Sequence, residues 1–167
     1  GWSPTDIHVR VYPAEHRFST GVAHRMTPDT PPQLTRSTGF DARTRALTRH
    51  FIEYRGFWLP GCYTAGGPIA EYWACRERAA IIDLSALRKF EVLGPDAEQL
   101  LQLALTRDVR KLAIGQVVYS AMCHPHGGML DDCTLFRFGP ANFRLVAGDD
   151  YAGPWLRELA SVNGLHV

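Results

Sequence analysis

The sequence is short of several things, and each shortage removes a class of protein. Lysine is nearly missing: only Lys89 and Lys111 occur, and arginine supplies the other basic residues. Arginine dominance of this kind reflects codon usage more than a binding surface. Charge of one sign is also missing, since 18 basic residues face 17 acidic ones for a net charge of +1. That balance gives no electrostatic footprint for nucleic acid or an anionic membrane. No run of 18 apolar residues exists, which excludes a membrane-spanning helix. The N-terminal residues GWSPTDIHVRVYP lack the charged-then-apolar order of a secretory signal. The four cysteines, Cys62, Cys75, Cys123 and Cys133, show no CxxC spacing and are too few for a disulfide scaffold. The expectation is a cytoplasmic protein with reduced thiols. Internal repeats and low-complexity tracts are missing too.

What is present is ordinary for a globular chain: 167 residues, 46% hydrophobic and 11% aromatic, enough for one domain with a real core or a domain with an extension. The first 40 or so residues stand apart. Five of the eleven prolines (Pro4, Pro13, Pro28, Pro31, Pro32) fall there, and proline removes backbone donors while fixing φ. This predicts an extended, irregular arm over residues 1–43, with one short strand-like alternation at Ile7, Val9 and Val11. Gly1-Trp2 without an initiator Met reads as a chain that begins inside a longer polypeptide.

From Pro68 the pattern is regular. Proline in a first turn, then Ile69, Tyr72, Trp73 and Cys75, predicts a helix. An apolar stretch, Ala80–Leu84, and an alternating one, Lys89–Leu93, follow. Gly94-Pro95-Asp96 opens a second helix with apolar Ala97, Leu100, Leu101, Leu103 and Ala104, and Asp96 and Glu98 suit its positive N-terminus. After Gly115 the period becomes two. Val117–Cys123 and Met129–Phe138 read as strands joined by His124-Pro125-His126-Gly127-Gly128, with a third strand over Asn142–Ala147 after the turn Gly139–Asn142. Residues 151–161 read as a helix with Trp155, Leu156 and Leu159 inward. The order implies an α+β fold, an antiparallel sheet with helices packed on one side.

The chemistry concentrates in Gly127-Gly128-Met129-Leu130-Asp131-Asp132. Two adjacent carboxylates on a strand must point to opposite faces. A carboxylate turned toward a packed or ligand-lined face needs a donor, a cation or a ligand beside it; the plainer alternative is an Asp that caps backbone N–H groups near a turn. Cys123, His124, His126 and Cys133 are soft donors near one turn, but their spacing matches no common zinc site, and no metal is expected. Gly66-Gly67-Pro68 reads as a helix-entry loop rather than a phosphate cradle, since no GxGxxG or P-loop pattern surrounds it. Trp58 and Trp73 read as packing aromatics.

The run YSAMCHPHGGMLDDCTLFRF resembles the strand–turn–strand of the glycine-cleavage T-protein (aminomethyltransferase) family: Tyr-Ser-X-Met, a turn, then Gly-Gly, two hydrophobics and Asp-Asp. Upstream, TRALTRHFIEYRGFWLPGCYTAGGPIAEYWACRERAAIIDLS resembles the family's opening, with Glu71, Arg76, Asp83 and Ser85 in the matching places, and LGPDAEQLLQLALTRDVRKLAIGQ resembles its linking helix and loop. The likeness runs over residues 44–160, so residues 44–167 are expected to be the N-terminal portion of a folate-binding domain that needs roughly twice this length. The resemblance implies a tetrahydrofolate-dependent one-carbon transferase acting with a small-molecule methyl or aminomethyl donor, its site completed by the rest of the enzyme or another subunit. It places Asp132 beside the reactive folate nitrogen, where it orients the transferring group and stabilises its positive charge; Asp131 is the alternative if the register turns it inward. Tyr119 would line the pterin site. Phe136 stands where the family has a tyrosine, so it can stack without hydrogen-bonding, and Gly148 stands where aminomethyltransferases place a pterin-contacting asparagine. Val146-Ala147-Gly148-Asp149-Asp150 with Trp155-Leu156 is similar instead to the demethylase branch, which acts on sulfonium or aryl methyl ether donors. A non-catalytic folate-binding assembly factor is a further alternative; the Asp pair, which that branch often lacks, favours the enzyme.

Overall fold

The computed structural model describes residues 10–11 and 36–167. The chain divides into two compact units, Pro13–Ala86 and Gly1–Tyr12 with Leu87–Val167.

In the first unit, strand β2 (Arg36–Ser37) runs parallel to β4 (Phe57–Pro60), which pairs antiparallel with β3 (Phe51–Tyr54). Helix α1 (Asp41–Leu47) precedes β3, so position 43, where the proline-rich arm was expected to end, lies inside a helix. Residues 1–9 and 12–35 of that arm lie outside the described residues. Arg55 and Gly56 turn the β3–β4 hairpin with φ of 51° and 79°, the doubly positive geometry that matches strand twist. Phe57 is the buried anchor here. Helix α2 (Gly67–Glu77) forms where Pro68 predicts it, with none of its residues buried. The apolar stretch Ala80–Leu84 makes no regular element, and Ile81 is 94% exposed. Asp83 instead ties this segment down, accepting from Thr38 Oγ1 at 2.6 Å and from the Ser85 N–H at 2.9 Å.

The second unit carries the regular core. Its sheet has the order β1-β5-β8-β7-β6, all neighbours antiparallel, from β1 (Arg10–Val11), β5 (Arg88–Leu93), β6 (Val117–Cys123), β7 (Met129–Gly139) and β8 (Asn142–Ala147). Of the expected Ile7–Val11 alternation, Arg10–Val11 is described, and it pairs with β5. Period-two burial follows the strands: Phe90 and Val92, Cys133 and Leu135, Phe143, Leu145 and Ala147 are all buried. They pack with Leu100, Leu101 and Ala104 of α3 (Ala97–Ala104) and with Leu156 and Ala160 of α4 (Ala152–Val162), in one cluster. Apolar area removed from water at about 25 cal/mol per Å² makes this cluster the main stabilising term. Trp155 and Leu159 are partly buried at its margin. The α+β architecture read from the sequence is the one observed.

One turn and one bulge set the register of β6 against β7. His124 O accepts from the Gly127 N–H at 2.8 Å, and Gly127 sits at φ 88°, a conformation that costs glycine nothing. One residue on, Met122 pairs with Asp131 while Cys123 pairs with Met129, leaving Leu130 as an extra residue, a β-bulge. That bulge decides which face each member of the Asp pair takes.

Candidate functional site

Residues directly opposite each other in a sheet share a face. Tyr119 lies opposite Thr134 and Ala121 opposite Asp132, so Tyr119, Asp132 and Phe136 share one face, turned away from Cys133 and Leu135 and the helix-packed core. Val117, opposite Phe136, and Phe138 belong to it as well. Asp131, opposite the fully buried Met122, takes the core face. The two carboxylates therefore point apart, as strand alternation requires, and the one turned inward is Asp131, the alternative on that condition. Its oxygens are taken by backbone N–H groups, which leaves Asp132 as the carboxylate on the open face.

Asp132 is half-buried and accepts a hydrogen bond from the Tyr119 hydroxyl. The two residues are diagonal neighbours across the β6–β7 ladder, a separation a tyrosine spans easily. That hydrogen bond to Asp132 is the chief reason the Tyr119 phenol titrates above the ordinary tyrosine range; desolvation and the negative charge of Asp132 push the same way. Tyr119 is 62% exposed, so the pair lies on an accessible surface. Beside it the Phe136 and Phe138 rings stack at 6.2 Å, and the Arg144 guanidinium lies over Phe138 at 5.2 Å while pairing with Glu91. The arrangement is an aromatic face with the Asp132 carboxylate beside Tyr119 and the Arg144–Glu91 pair beside Phe138. Flat, electron-rich or cationic molecules suit such a face by stacking and charge attraction.

Asp131 has different work. Its Oδ2 accepts from the N–H groups of Gly148 at 2.7 Å and Asp149 at 3.0 Å, and its Oδ1 from the N–H of Asp132 at 2.9 Å. It clasps the loop after β8 to the strand carrying Asp132. Gly148, expected at the cofactor site, is buried with its N–H engaged by Asp131; what it presents to a ligand is backbone alone. Capping of backbone N–H groups was the plainer alternative for an Asp of this pair, and Asp131 is the one that takes it; the sequence did not say which of the two it would be. Cys133, which follows the two carboxylates in sequence, is buried, and that burial, with Asp131 and Asp132 nearby, pushes its thiol up to about 12.

The other soft donors near the turn do not converge. His124 and His126 stack ring on ring at 4.9 Å, and no group of three or more metal-binding side chains occurs among the described residues. An open cavity of about 700 Å³ runs between the 3₁₀ turn Val109–Lys111 and the outer edge of β6, lined by Arg107, Asp108, Lys111, Gln116 and Val117. Asp132 and Tyr119 are not among its walls.

The family model described as GCVT N-terminal domain matches residues 40–163. The chain belongs to that family. Among its relatives, a trimethylamine-oxide aldolase from Ruegeria pomeroyi is 55% identical over 167 residues, all of this chain and 21% of the relative. An aminomethyltransferase from Herpetosiphon aurantiacus is 41% identical over 112 residues, 67% of this chain and 30% of that protein. A heme-dependent oxidative N-demethylase gamma subunit from Ectopseudomonas mendocina is 44% identical over 107 residues, 64% of this chain and 28% of that one. The crystal structure of the glycine cleavage system aminomethyltransferase T from Bartonella henselae superposes with a TM-score of 0.69 at 30% identity, covering 75% of this chain and 35% of its own. The chain thus spans about a fifth to a third of the length of these proteins. The resemblance read over residues 44–160 is the relationship found. Among the described residues no helix is long and apolar enough to cross a membrane.

Proposed function

We propose that this region forms the carboxylate-bearing wall of a tetrahydrofolate-dependent one-carbon transferase, whose carbon comes from an N-methyl or aminomethyl amine. The observation that carries the reading is the Tyr119 hydroxyl held on the Asp132 carboxylate, on an exposed aromatic face with Phe136. These residues fit the cofactor: Tyr119 and Phe136 offer ring faces to a flat pterin, and Asp132 offers negative charge at their edge. Tetrahydrofolate supplies the amine nitrogen that accepts the carbon. Asp132 orients the arriving group and stabilises the positive charge that develops on it, without having to reorganise during the reaction. Tyr119, by donating to Asp132, fixes that carboxylate's direction.

The demethylase branch is favoured over glycine cleavage by a specific observation. Gly148 stands where an asparagine is expected, and its N–H serves Asp131, so a side-chain contact to the pterin is missing at that point. Two of the relatives carry names that refer to N-methyl chemistry. On this reading the enzyme works in the cytoplasm, and the rest of the polypeptide or another subunit completes the folate site. Residues 1–167 alone bind folate weakly or not at all; micromolar tetrahydrofolate affinity in a titration of that piece would overturn this part.

The test uses the polypeptide at the full length of its relatives, supplied with tetrahydrofolate and methylated or aminomethylated amine donors. Formation of methyl- or methylene-tetrahydrofolate is expected. Asp132→Asn is expected to lower kcat by about 10²–10³-fold, the scale of losing one preorganised electrostatic group. Unchanged turnover in that variant defeats the role given to Asp132, and no one-carbon product from the unsubstituted protein leaves the assembly-factor reading.

A further inference from the structure

We propose that Asp131 is the positioning residue for the one-carbon carboxylate, acting as a three-donor clasp that locks Asp132 and the loop after β8 into one rigid element. This rests on the role proposed above for Asp132. The bulge at Leu130 brings Asp131 to the end of the core face opposite Met122, where both its oxygens are used at once. One oxygen takes the N–H of Asp132 itself; the other takes two consecutive N–H groups from Gly148 and Asp149. The far side of the loop is anchored as well. Asp149 Oδ1 accepts from the Tyr151 N–H at 2.7 Å, just ahead of α4, and Asp150 pairs with Arg88 at 2.5 Å, where β5 begins.

The chemistry of the clasp requires a carboxylate. Both oxygens must accept, and in an asparagine one of them becomes an amide NH₂ that faces N–H donors. Whichever way that amide turns, one arm is lost: the strand's or the loop's. Charged acceptors also hold backbone N–H groups more tightly than neutral ones. A carboxylate in the reacting position gains from such support, because displacement of about 1 Å costs on the order of a hundredfold in rate.

The clasp is tested in the full-length protein with Asp131→Asn, Asp131→Glu and Asp132→Asn side by side. Asp131→Asn is expected to lower kcat for one-carbon transfer by about ten- to a hundredfold, with KM for tetrahydrofolate nearly unchanged. The amides of Gly148 or of Asp132 should exchange with solvent measurably faster. Should Asp131→Asn fail to fold, Asp131→Glu carries the test: the charge is kept, the arm is one methylene too long, and the same kcat loss at constant KM is expected. Wild-type kcat in the folded Asp131 variants, together with a large loss in Asp132→Asn, overturns the positioning role and leaves the one-carbon reading standing. Full activity in Asp132→Asn removes the role proposed for Asp132, and the clasp's purpose with it. A rise in KM without a fall in kcat would assign Asp131 to binding and also overturn the proposal.

Discussion

Substituting Gly153 by alanine sets two effects of known size against each other. Gly153 lies in the first turn of α4, facing the Phe90 ring of β5. A methyl group there would stand 2.8 Å from Phe90 Cε1 and 3.3 Å from Cδ1, well inside ordinary carbon–carbon contact. Phe90 is 1% exposed and enclosed by the core, so its ring has nowhere to swing. Overpacking of this kind costs about 1–3 kcal/mol. The opposing term is the relief of glycine's conformational entropy, about 0.5–1 kcal/mol in a helix interior and less in a first turn. The clash wins, with a net loss of about 1–2 kcal/mol. For a chain of this size that lowers Tm by roughly 2–8 °C, at about 2–4 °C per kcal/mol. Urea unfolding monitored by circular dichroism measures it. Trimming the ring in a Gly153→Ala, Phe90→Leu double variant should recover part of the loss, giving a coupling energy a double-mutant cycle can read. A Gly153→Ala protein as stable as the parent would refute the reasoning, because it would mean that α4 does not press on β5 as described.

Truncating Leu135, fully buried at the centre of β7, to alanine should cost about 2–5 kcal/mol by denaturant unfolding. The Tyr119 phenol should ionise above the ordinary tyrosine range, and Asp132→Asn should bring it back down in an ultraviolet absorbance titration; the causes are the hydrogen bond, then desolvation and charge. The sign is fixed by linkage: with the folded value raised, the stabilisation from this pair is present below the unfolded tyrosine pKa and disappears as pH rises through the folded one. Alkylation under native conditions at neutral to mildly alkaline pH should label the exposed Cys75 and spare Cys133, which is buried with its thiol pushed up to about 12; mass mapping that finds Cys133 modified as fast as Cys75 would count against the described core.

Where one face of an element is buried and the other is not, the sequence was easy to read. Phe90 and Val92, Cys133 and Leu135, Phe143 and Leu145 alternate with polar or exposed neighbours, and α3 and α4 carry their apolar residues at helical spacing. Physical packing leaves its period in the chain there. The first unit was harder. Its β3–β4 hairpin turns on Arg55-Gly56, where an arginine takes a left-handed φ of 51° that asparagine or glycine ordinarily fills, so the usual turn signal was missing. Helix α1 is seven residues long with only Thr44 buried, too short for a period to show. Ala80–Leu84 shows the converse: it is apolar enough for a strand, yet it remains irregular with Ile81 and Ile82 exposed. A local pattern cannot distinguish an apolar segment that pairs from one that does not.

The Asp pair shows how far such reading reaches. Alternation alone required Asp131 and Asp132 to face opposite ways, and it required the one turned to the core to have internal donors. It could not say which was which, because the choice depends on the bulge at Leu130, and a bulge is set by turn geometry rather than composition. With the register known, the division of labour follows from partners. Asp131 is committed to three backbone N–H groups, so moving it would release all three donors. Asp132 is joined to a tyrosine that is 62% exposed, on a face that an incoming molecule can reach. On the proposed reading one carboxylate meets the substrate while its neighbour holds the backbone, and two adjacent residues on one strand let the fold supply both.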